Sequence, residues 1–560
     1  MCGIIAIIGK NEVKEDIIYA LKSLEYRGYD SAGVFFKQNQ NKYKALSSLE
    51  LLESMLKNEK GKTAIGHTRW ATHGKVNLAN THPIQIKNYC IVHNGIIENQ
   101  DEILKMIQYK KQTETDTETL LALFLFFLEN NSEEKALEKT QEFAEGSFAC
   151  AILKLEEKGE AQSEEKDKIF FMKKGLSPLL IAKQENQNII ISDEAGLKSK
   201  SKIIEVPLNS YGYITSQEVQ ILPKKDEKSY EYTPSEKEEN KETTYLEKEI
   251  KEQVELFKNS TIPNFDLSQF KNIKLIGCGS AYIAASIGAL WLEENGILAN
   301  AEIASEWSYR KTCENSESLV ILISQSGETA DTLSALRKAK NNKIKTLAII
   351  NSKNSTIAKE ADSFIDIEAG KEFSVASTKA FTGQLLTLYK LIFQKFPKDL
   401  SKLAQETLKI EINSKIDLIN NAEKIIILGK NLAYQVAQEG SLKIKELTYK
   451  NIEAYPSGEL KHGYLALVDE KTLVITVAPS GEFYKKTISN TQEAITRGAK
   501  ALIISDKQNF ENSIIMPQVK SEEAPFLYTI IMQRIAFALA QKNNLPIDKP
   551  RNLAKSVTVE

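Results

Sequence analysis

MCGIIAIIGK, residues 1–10, places a Cys-Gly pair ahead of the apolar run IIAII. The run is short, rich in β-branched isoleucine and closed by Gly9, which reads as a β-strand. Cys2 stands at the mouth of that strand, and three readings are open: part of a targeting signal, a buried thiol, or a nucleophile uncovered by removal of Met1. A secretory signal needs a basic start and a longer apolar stretch, yet no basic residue precedes Lys10. Methionine is removable when the next residue is small, and cysteine qualifies. Cys2 would then combine a thiol of reference pKa about 8.5 with an α-amine of about 7.7 to 8.0, which can act as its base through a water. The competing reading is a small hydrophobe packed in the core.

The run is the first of several. SAGVFF, YCIVHNG, GSFACAILKL, KIFFMKK, NIIISDE and YGYIT follow it, with helical patterns near EDIIYALKSLEY and TETLLALFLFFLEN. Together they predict stacked sheets and helices in an α+β domain over residues 1–222. LLALFLFFL at 120–128 is too short to span a bilayer and reads as a buried helix. The charged insert EEKGEAQSEEKDK (156–168) reads as a solvated hairpin tip.

Over 223–244, PKKDEKSYEYTPSEKEENKETT, hydrophobic periodicity gives way to charge and predicts a linker. Beyond it, strand and helix alternate in IKLIGCGSAYIAASIGALWLEE, LVILISQSGETADTLSALRKAK and KTLAIINSK, the pattern of a parallel sheet covered by helices. This half repeats itself. KLIGCGSAYIAA is similar to IILGKNLAYQVAQEG, and LVILISQSGETADTL to LVITVAPSGEFYKKT, each pair about 150 residues apart. Two copies of one α/β unit are expected, over 245–400 and 401–545, with a tail at 546–560.

The totals exclude several classes. Across 560 residues, Lys plus Arg (73) nearly cancel Asp plus Glu (75), which favours neither nucleic acid nor an anionic membrane as partner. With no signal and no spanning segment the protein is expected in the cytoplasm. Cys2, Cys90, Cys150, Cys278 and Cys313 form no CxxC pair, so disulfides and structural zinc are not expected. Four of the five histidines, His67, His73, His82 and His93, fall in the first half, but their spacing is not that of metal ligands. They read as hydrogen-bonding turn residues, and no metal is expected.

YRGYDSAG (26–33), GHTRWATHG (66–74) and HNGIIEN (93–99) are dense in Gly, Arg, His and Asn, as polar turns at strand ends are where fixed donors gather. Through CGI, HTRWATHG and HNG the first half resembles glutamine amidotransferases of the N-terminal nucleophile class. The resemblance implies Cys2 as nucleophile and Asn94 with the Gly95 amide as oxyanion hole. It also implies Arg69 on the carboxylate of L-glutamine, Asp116 on its α-amino group, and Trp70, Thr72 and His73 around the pocket. Asp116 has a second reading, since Thr115 or Asp116 in TDTE can cap a helix.

In the second half, IGCGSAY has Tyr282 where a dinucleotide fingerprint has its third glycine, so NAD is disfavoured and no cofactor is expected. SQSGET (324–329) leads from a strand into a helix, and its hydroxyls and free amides make an anion site. Without the lysine of a GxxxxGK[ST] loop it suits a phosphate monoester better than a nucleotide. SVASTKAF (374–381) adds a second hydroxyl-rich stretch.

These loops resemble the sugar isomerase domain family, a likeness that extends through KEFSVASTKAFTGQ, PSGELKHG and PRNLAKSVTVE. Taken whole, the chain is similar to the family of two-site enzymes that move the amide nitrogen of L-glutamine onto D-fructose 6-phosphate through an internal ammonia channel gated by Trp70. The resemblance implies Ser280, Ser324, Gln325, Ser326, Thr329, Val375 and Ser377 around the sugar phosphate. It implies His462 in ring opening, Lys555 as the amine forming an imine with the ketose, and Glu446 as the carboxylate moving a proton between C1 and C2, with Glu439 and Lys443 assisting. Glu439, Lys443 and Glu446 share one helix face by spacing, which also fits a plain surface ion pair. The family is homodimeric through its isomerase halves, with the histidine loop reaching the neighbouring subunit and the C-terminal tail covering the sugar. Ala281 and Tyr464 depart from the family's pattern, a hydroxyl being lost at the first and KHGP replaced by KHGY at the second. Two rival readings share these residues: a regulator that binds a sugar phosphate without transforming it, and an amidotransferase acting on another phosphosugar.

Overall fold

GIIAIIG forms the strand Gly3–Gly9 in this computed structural model, paired with Thr63–Arg69 on one side and Gln187–Ile191 on the other. The structure describes residues 2–46, 49–70, 74–155, 167–175, 177–225, 228–234, 244–259, 261–508 and 510–558. Gly3–Gly9 lies in an eight-stranded sheet that runs, edge to edge, Lys228–Tyr232, Ser201–Glu205, Leu180–Gln184, Gln187–Ile191, Gly3–Gly9, Thr63–Arg69, Ser31–Phe36, Asn41–Leu46. A six-stranded sheet runs Val219–Leu222, Ser210–Ile214, Ile169–Lys174, Gly146–Lys154, Tyr89–Ile97, Ile84–Ile86. Every pairing in both sheets is antiparallel.

The side-chain period of two sorts this domain into layers. Ile4, Ala6 and Ile8 meet Cys90, Val92, Ala149 and Ala151 between the sheets. Ile5 and Ile7 point the other way, onto Ile17 and Leu21 of the helix Lys14–Leu24. Ile91, Cys150 and Ile152 face Leu120, Leu121 and Phe124 of the helix Asp116–Leu128. A strand buried on both faces reads as a continuous apolar run, which is why IIAII shows no alternation. Cys90 and Cys150 belong to this core, and burial pushes both thiols up to about 12.

The stretch read as a linker is partly structured. Within 223–244, Lys228–Tyr232 pairs with Ser201–Glu205 as an edge strand, and Tyr230 and Tyr232 pack on the core beside Ile203. Alternate tyrosines supply the buried face, while the charged residues between them suit an edge. The tip of the insert at 156–166 lies outside the described residues.

The other half holds two parallel five-stranded sheets. One runs Ala299–Ile303, Asn272–Gly277, Ser318–Ser324, Lys345–Ile350, Ser363–Asp366, and the other Ile452–Pro456, Lys424–Gly429, Thr472–Val477, Lys500–Ser505, Ser513–Ile515. Strand order is the same in both, as duplication predicts. The likeness extends to single dihedrals: the helix Ser280–Glu294 starts after Gly279 at φ 53°, ψ −128°, and the helix Leu432–Thr448 after Asn431 at φ 53°, ψ −127°. Such a left-handed φ costs glycine nothing, and asparagine tolerates it better than most residues.

By its contacts the chain divides into two units, Met1–Glu239 with Ser556–Glu560, and Asn240–Lys555. The tail is therefore split: Lys555 belongs to the second unit, whereas Ser556 and Thr558, both buried, belong to the first. Among the described residues no helix is long and apolar enough to cross a membrane.

Candidate active sites

Cys2 sits where the strand Gly3–Gly9 meets the end of Thr63–Arg69. Gly3 pairs with Thr68, and a Cβ on Gly3 would lie 2.6 Å from Thr68 Oγ1, so the Cys-Gly pair is a steric requirement. Trp70 N donates to Cys2 Sγ at 3.1 Å, and Asn94 Nδ2 donates to the Cys2 carbonyl at 2.8 Å. Burial pushes the Cys2 thiol up, with the Trp70 amide and Arg69 acting against it. Gly95 follows Asn94 at φ +118°, and a Cβ there would fall 2.1 Å from the Ser147 carbonyl. No other residue fits.

Asn94 is aimed by a histidine network. His67 Nε2 lies 2.9 Å from the His93 carbonyl and 3.0 Å from Asn94 Oδ1. Both partners only accept, so Nε2 carries the hydrogen, and with Oδ1 so held Nδ2 must face Cys2. His93 Nδ1 and His82 Nε2 each lie 2.9 Å from Thr117 Oγ1, and His82 Nδ1 lies 3.3 Å from His67 Nε2. Sequence reasoning placed these histidines in turns. His67 and His93 are instead buried strand residues, brought together by sheet packing.

Burial drives the His67 pKa down to about 3, against the hydrogen bonds it donates to Asn94 and His93, and burial with the neighbouring His67 lowers His82 well below its ordinary value. A histidine kept neutral by the fold takes its proton more readily once unfolded. Stability is then full above the unfolded pKa of about 6.5 and declines as pH falls, by up to about 1.4 kcal/mol per pH unit per ring, until the folded ring titrates. The urea midpoint for exposing Thr63–Arg69, followed by pulse hydrogen exchange in the full chain, should drop between pH 7 and pH 5. His67→Gln should flatten that drop; equal slopes in both proteins would contradict the burial argument.

Arg69, buried, donates to the carbonyls of Gly74 and Lys75 at 3.2 and 3.3 Å. Asp116 opens its helix without capping it: its Oδ2 accepts from Ile97 N at 3.0 Å, and the preceding Thr115 makes no side-chain cap bond either. Cys2, Arg69, Trp70, Asn94, Gly95 and Asp116 line one cleft, to which Thr558 of the tail is added. A thiol and two amide donors lie in the cleft with a cation and a carboxylate, the set that suits an α-amino acid with a side-chain amide. Thr72 and His73 lie outside the described residues.

In the second unit, Ser324 Oγ lies 3.0 Å from Thr329 Oγ1 and accepts from Gly327 N, while Ser326 Oγ accepts from Glu328 N. Gly327, at φ +65°, would bring a Cβ within 2.0 Å of Ser355 Oγ. The loop, with Gln325 in it, leads into the helix Ala330–Asn341. In the second copy the matching residues are Ala478, Pro479 and Phe483, and Ser480 N donates at 2.7 Å to Asp506. A carboxylate of the chain occupies that loop.

Ser280 Oγ donates to Glu439 at 3.0 Å. Lys443 Nζ lies 2.7 Å from Glu446 and 3.5 Å from Glu439, and neither Glu439 nor Lys443 is more than 1% exposed, so this is no surface ion pair. Burial, with Glu446 nearby, raises Glu439 to about 7 despite Lys443; for Lys443 burial acts downward, but Glu446 and Glu439 prevail and raise it to about 12. The Lys555 side chain is buried in an ion pair with Glu372, a residue to which the sequence analysis gives no role. Ser377 Oγ approaches the same carboxylate at 3.4 Å, and Val375 N donates to the Asp548 backbone carbonyl at 3.0 Å. His462 is not gathered with them: it is exposed after the 3₁₀ turn Ser457–Lys461. Tyr464 stacks on Tyr455 at 3.8 Å between centroids, which gives the KHGY departure a packing partner.

An N-terminal nucleophile amidotransferase domain joined to duplicated sugar isomerase domains is the class that fold and sites define. The glutamine amidotransferase domain model matches residues 67–197, and the SIS domain model matches 266–393 and 418–537. The chain is 35% identical over 628 residues to a glutamine–fructose-6-phosphate aminotransferase (isomerizing) of Francisella tularensis subsp. tularensis, and 36% identical over 621 residues to one of Clostridium tetani, with 100% of each chain covered. A solved C-terminal domain of glucosamine-fructose-6-phosphate aminotransferase from Francisella tularensis is 35% identical, covering 56% of this chain and 100% of its own, at a TM-score of 0.51. The chain belongs to the glutamine–fructose-6-phosphate aminotransferase (isomerizing) family.

Proposed function

We propose that the chain hydrolyses L-glutamine at Cys2 and transfers the nitrogen to D-fructose 6-phosphate, giving L-glutamate and D-glucosamine 6-phosphate, in the cytoplasm. Full-length similarity to enzymes of that name supports the overall reaction. The observation that carries the first half is the set of amide donors around Cys2, with Arg69 and Asp116 in the same cleft.

With Met1 removed, the α-amine of Cys2 takes the thiol proton through a water. Their reference pKa values differ by less than about one unit, so the transfer costs little. The thiolate attacks the side-chain amide carbon, and Asn94 Nδ2 with the Gly95 N–H receives the developing oxyanion. Asn94→Ala should lower glutamine hydrolysis about 10² to 10³-fold, mainly in kcat, the loss typical of one oxyanion donor. An unchanged kcat would remove Asn94 from the hole.

At the second site the loop Ser324–Thr329 with Ser280 holds the phosphate, Val375 and Ser377 lie along the sugar, and Lys555 forms the imine. Glu446 moves the proton from C1 to C2, while Glu439 and Lys443 aid ring opening and closure. A carboxylic acid near pH 7, as burial makes Glu439, is poised to give and take a proton there. An exposed His462 fits a loop that works on a neighbouring subunit in a homodimer. Trp70, Thr72 and His73 shape the glutamine pocket. Glutamine hydrolysis measured with a panel of phosphosugars tests the acceptor: fructose 6-phosphate should stimulate it most, and stronger stimulation by another sugar would reassign the substrate.

A further inference from the structure

The amine assigned to imine formation, Lys555, is held by a carboxylate that is itself built into the fold, and a chemical role for that carboxylate presupposes the assignment of Lys555. Glu372 is fully buried and Lys555 nearly so, and their side chains pair directly. Glu372 Oε1 also accepts from Thr378 N at 2.9 Å, Ala380 N at 3.0 Å and Thr378 Oγ1 at 3.2 Å. Two of those donors are backbone amides at the start of the helix Lys379–Phe393, where positive dipole ends favour an ionised carboxylate. Burial pushes the Glu372 carboxyl upward, but Lys555 and these amides outweigh it and hold it below its ordinary range.

The surrounding charges come from three other elements. Glu249, on the helix Tyr245–Leu256, accepts from Ser374 N at 3.2 Å and is pushed up to about 7, first by burial and then by the charge on Glu372. Lys443 acts on the cluster from the helix Leu432–Thr448. Lys379 is engaged with Glu252 at 2.6 Å. Glu372 therefore stands between an ammonium and a second, weaker acid.

We propose that Glu372 positions Lys555 and is the group that accepts its proton before the amine attacks C2 of the opened ketose, returning that proton to the departing hydroxyl. In the first step Lys555 Nζ loses a proton to Glu372, forms the N–C2 bond and breaks the C=O π bond. The nitrogen proton moves to the oxygen, giving a neutral carbinolamine. Glu372 then protonates the hydroxyl, the C–O bond breaks, water leaves and an iminium remains opposite a carboxylate again. Ammonium and ketone have become iminium and water, with Glu372 unchanged. A carboxylate able to act first as base and then as acid on the same nitrogen centre is what this condensation requires.

The test uses the full-length enzyme with fructose 6-phosphate and borohydride, reading the rate at which the peptide containing Lys555 gains the reduced sugar, alongside kcat and KM against pH. Glu372→Gln keeps an acceptor for the Thr378 and Ala380 amides but cannot carry a proton. It should slow trapping and kcat about 10² to 10⁴-fold, the range for a general acid–base group. KM for fructose 6-phosphate should move less than about threefold, since the role inferred for this carboxylate is proton transfer at Lys555 and not a contact to the sugar. The residual kcat should fall as pH rises, because dehydration must then draw its proton from solvent. Trapping at the wild-type rate in Glu372→Gln would overturn the inference alone. No reduced adduct in the wild-type chain would overturn the assignment of Lys555 and this inference with it. If Glu372→Gln unfolds the unit, Glu372→Asp decides: slowed trapping with an intact thermal transition supports the role, and the wild-type rate overturns it.

Discussion

Cys2→Ala is expected to abolish glutamine-dependent formation of glucosamine 6-phosphate while leaving ammonia-dependent synthesis and phosphohexose isomerisation. Removing a nucleophile typically costs about 10⁴ to 10⁶ in kcat. Cys90 and Cys150 are locked in the core with thiols pushed up to about 12, so neither is a substitute. The substitution is mild for the fold. Cys2 is only half-buried, and its Sγ contacts are both to the Trp70 backbone. Loss of both nitrogen sources at once would therefore point to unfolding, and retention of full glutamine-dependent turnover would end the nucleophile assignment.

Lys555→Arg should separate the two sites in the opposite sense. Arginine keeps a positive charge against Glu372 but cannot form an imine, so synthesis from either nitrogen source should fall on the order of 10⁴-fold while glutamine hydrolysis at Cys2 continues. The choice of arginine matters. Lys555→Ala would leave the buried Glu372 carboxylate without its counter-ion, at a cost of about 3 to 5 kcal/mol, and would mix chemistry with stability. Borohydride with fructose 6-phosphate should label the wild-type chain at Lys555 and leave Lys555→Arg unlabelled. Synthesis at the wild-type rate by Lys555→Arg would contradict imine catalysis.

Local patterns made much of the fold legible in the sequence. IIAII announces a strand, TETLLALFLFFLEN a buried helix, and the paired LVILIS and LVITVA runs a duplicated parallel sheet that the strand orders bear out. Features made by strand pairing or by a minority signal were not legible. His67, His82 and His93 are up to 26 residues apart in sequence, and only the packing of two sheets sets them in one network behind Asn94. In SYEY, two tyrosines carry the alternation of an edge strand against a background of charge. Glu372 is hidden because hydroxyls suited to phosphate dominate its stretch, whereas its partner is a lysine 183 residues away.

One nitrogen atom, on this account, passes from a thiol-dependent site to an imine-dependent one. The most direct test supplies the purified chain with glutamine carrying ¹⁵N in its side-chain amide, together with fructose 6-phosphate and excess unlabelled ammonium. The account predicts ¹⁵N on carbon 2 of the glucosamine 6-phosphate. Label found only in free ammonium, with both substrates saturating, would contradict it.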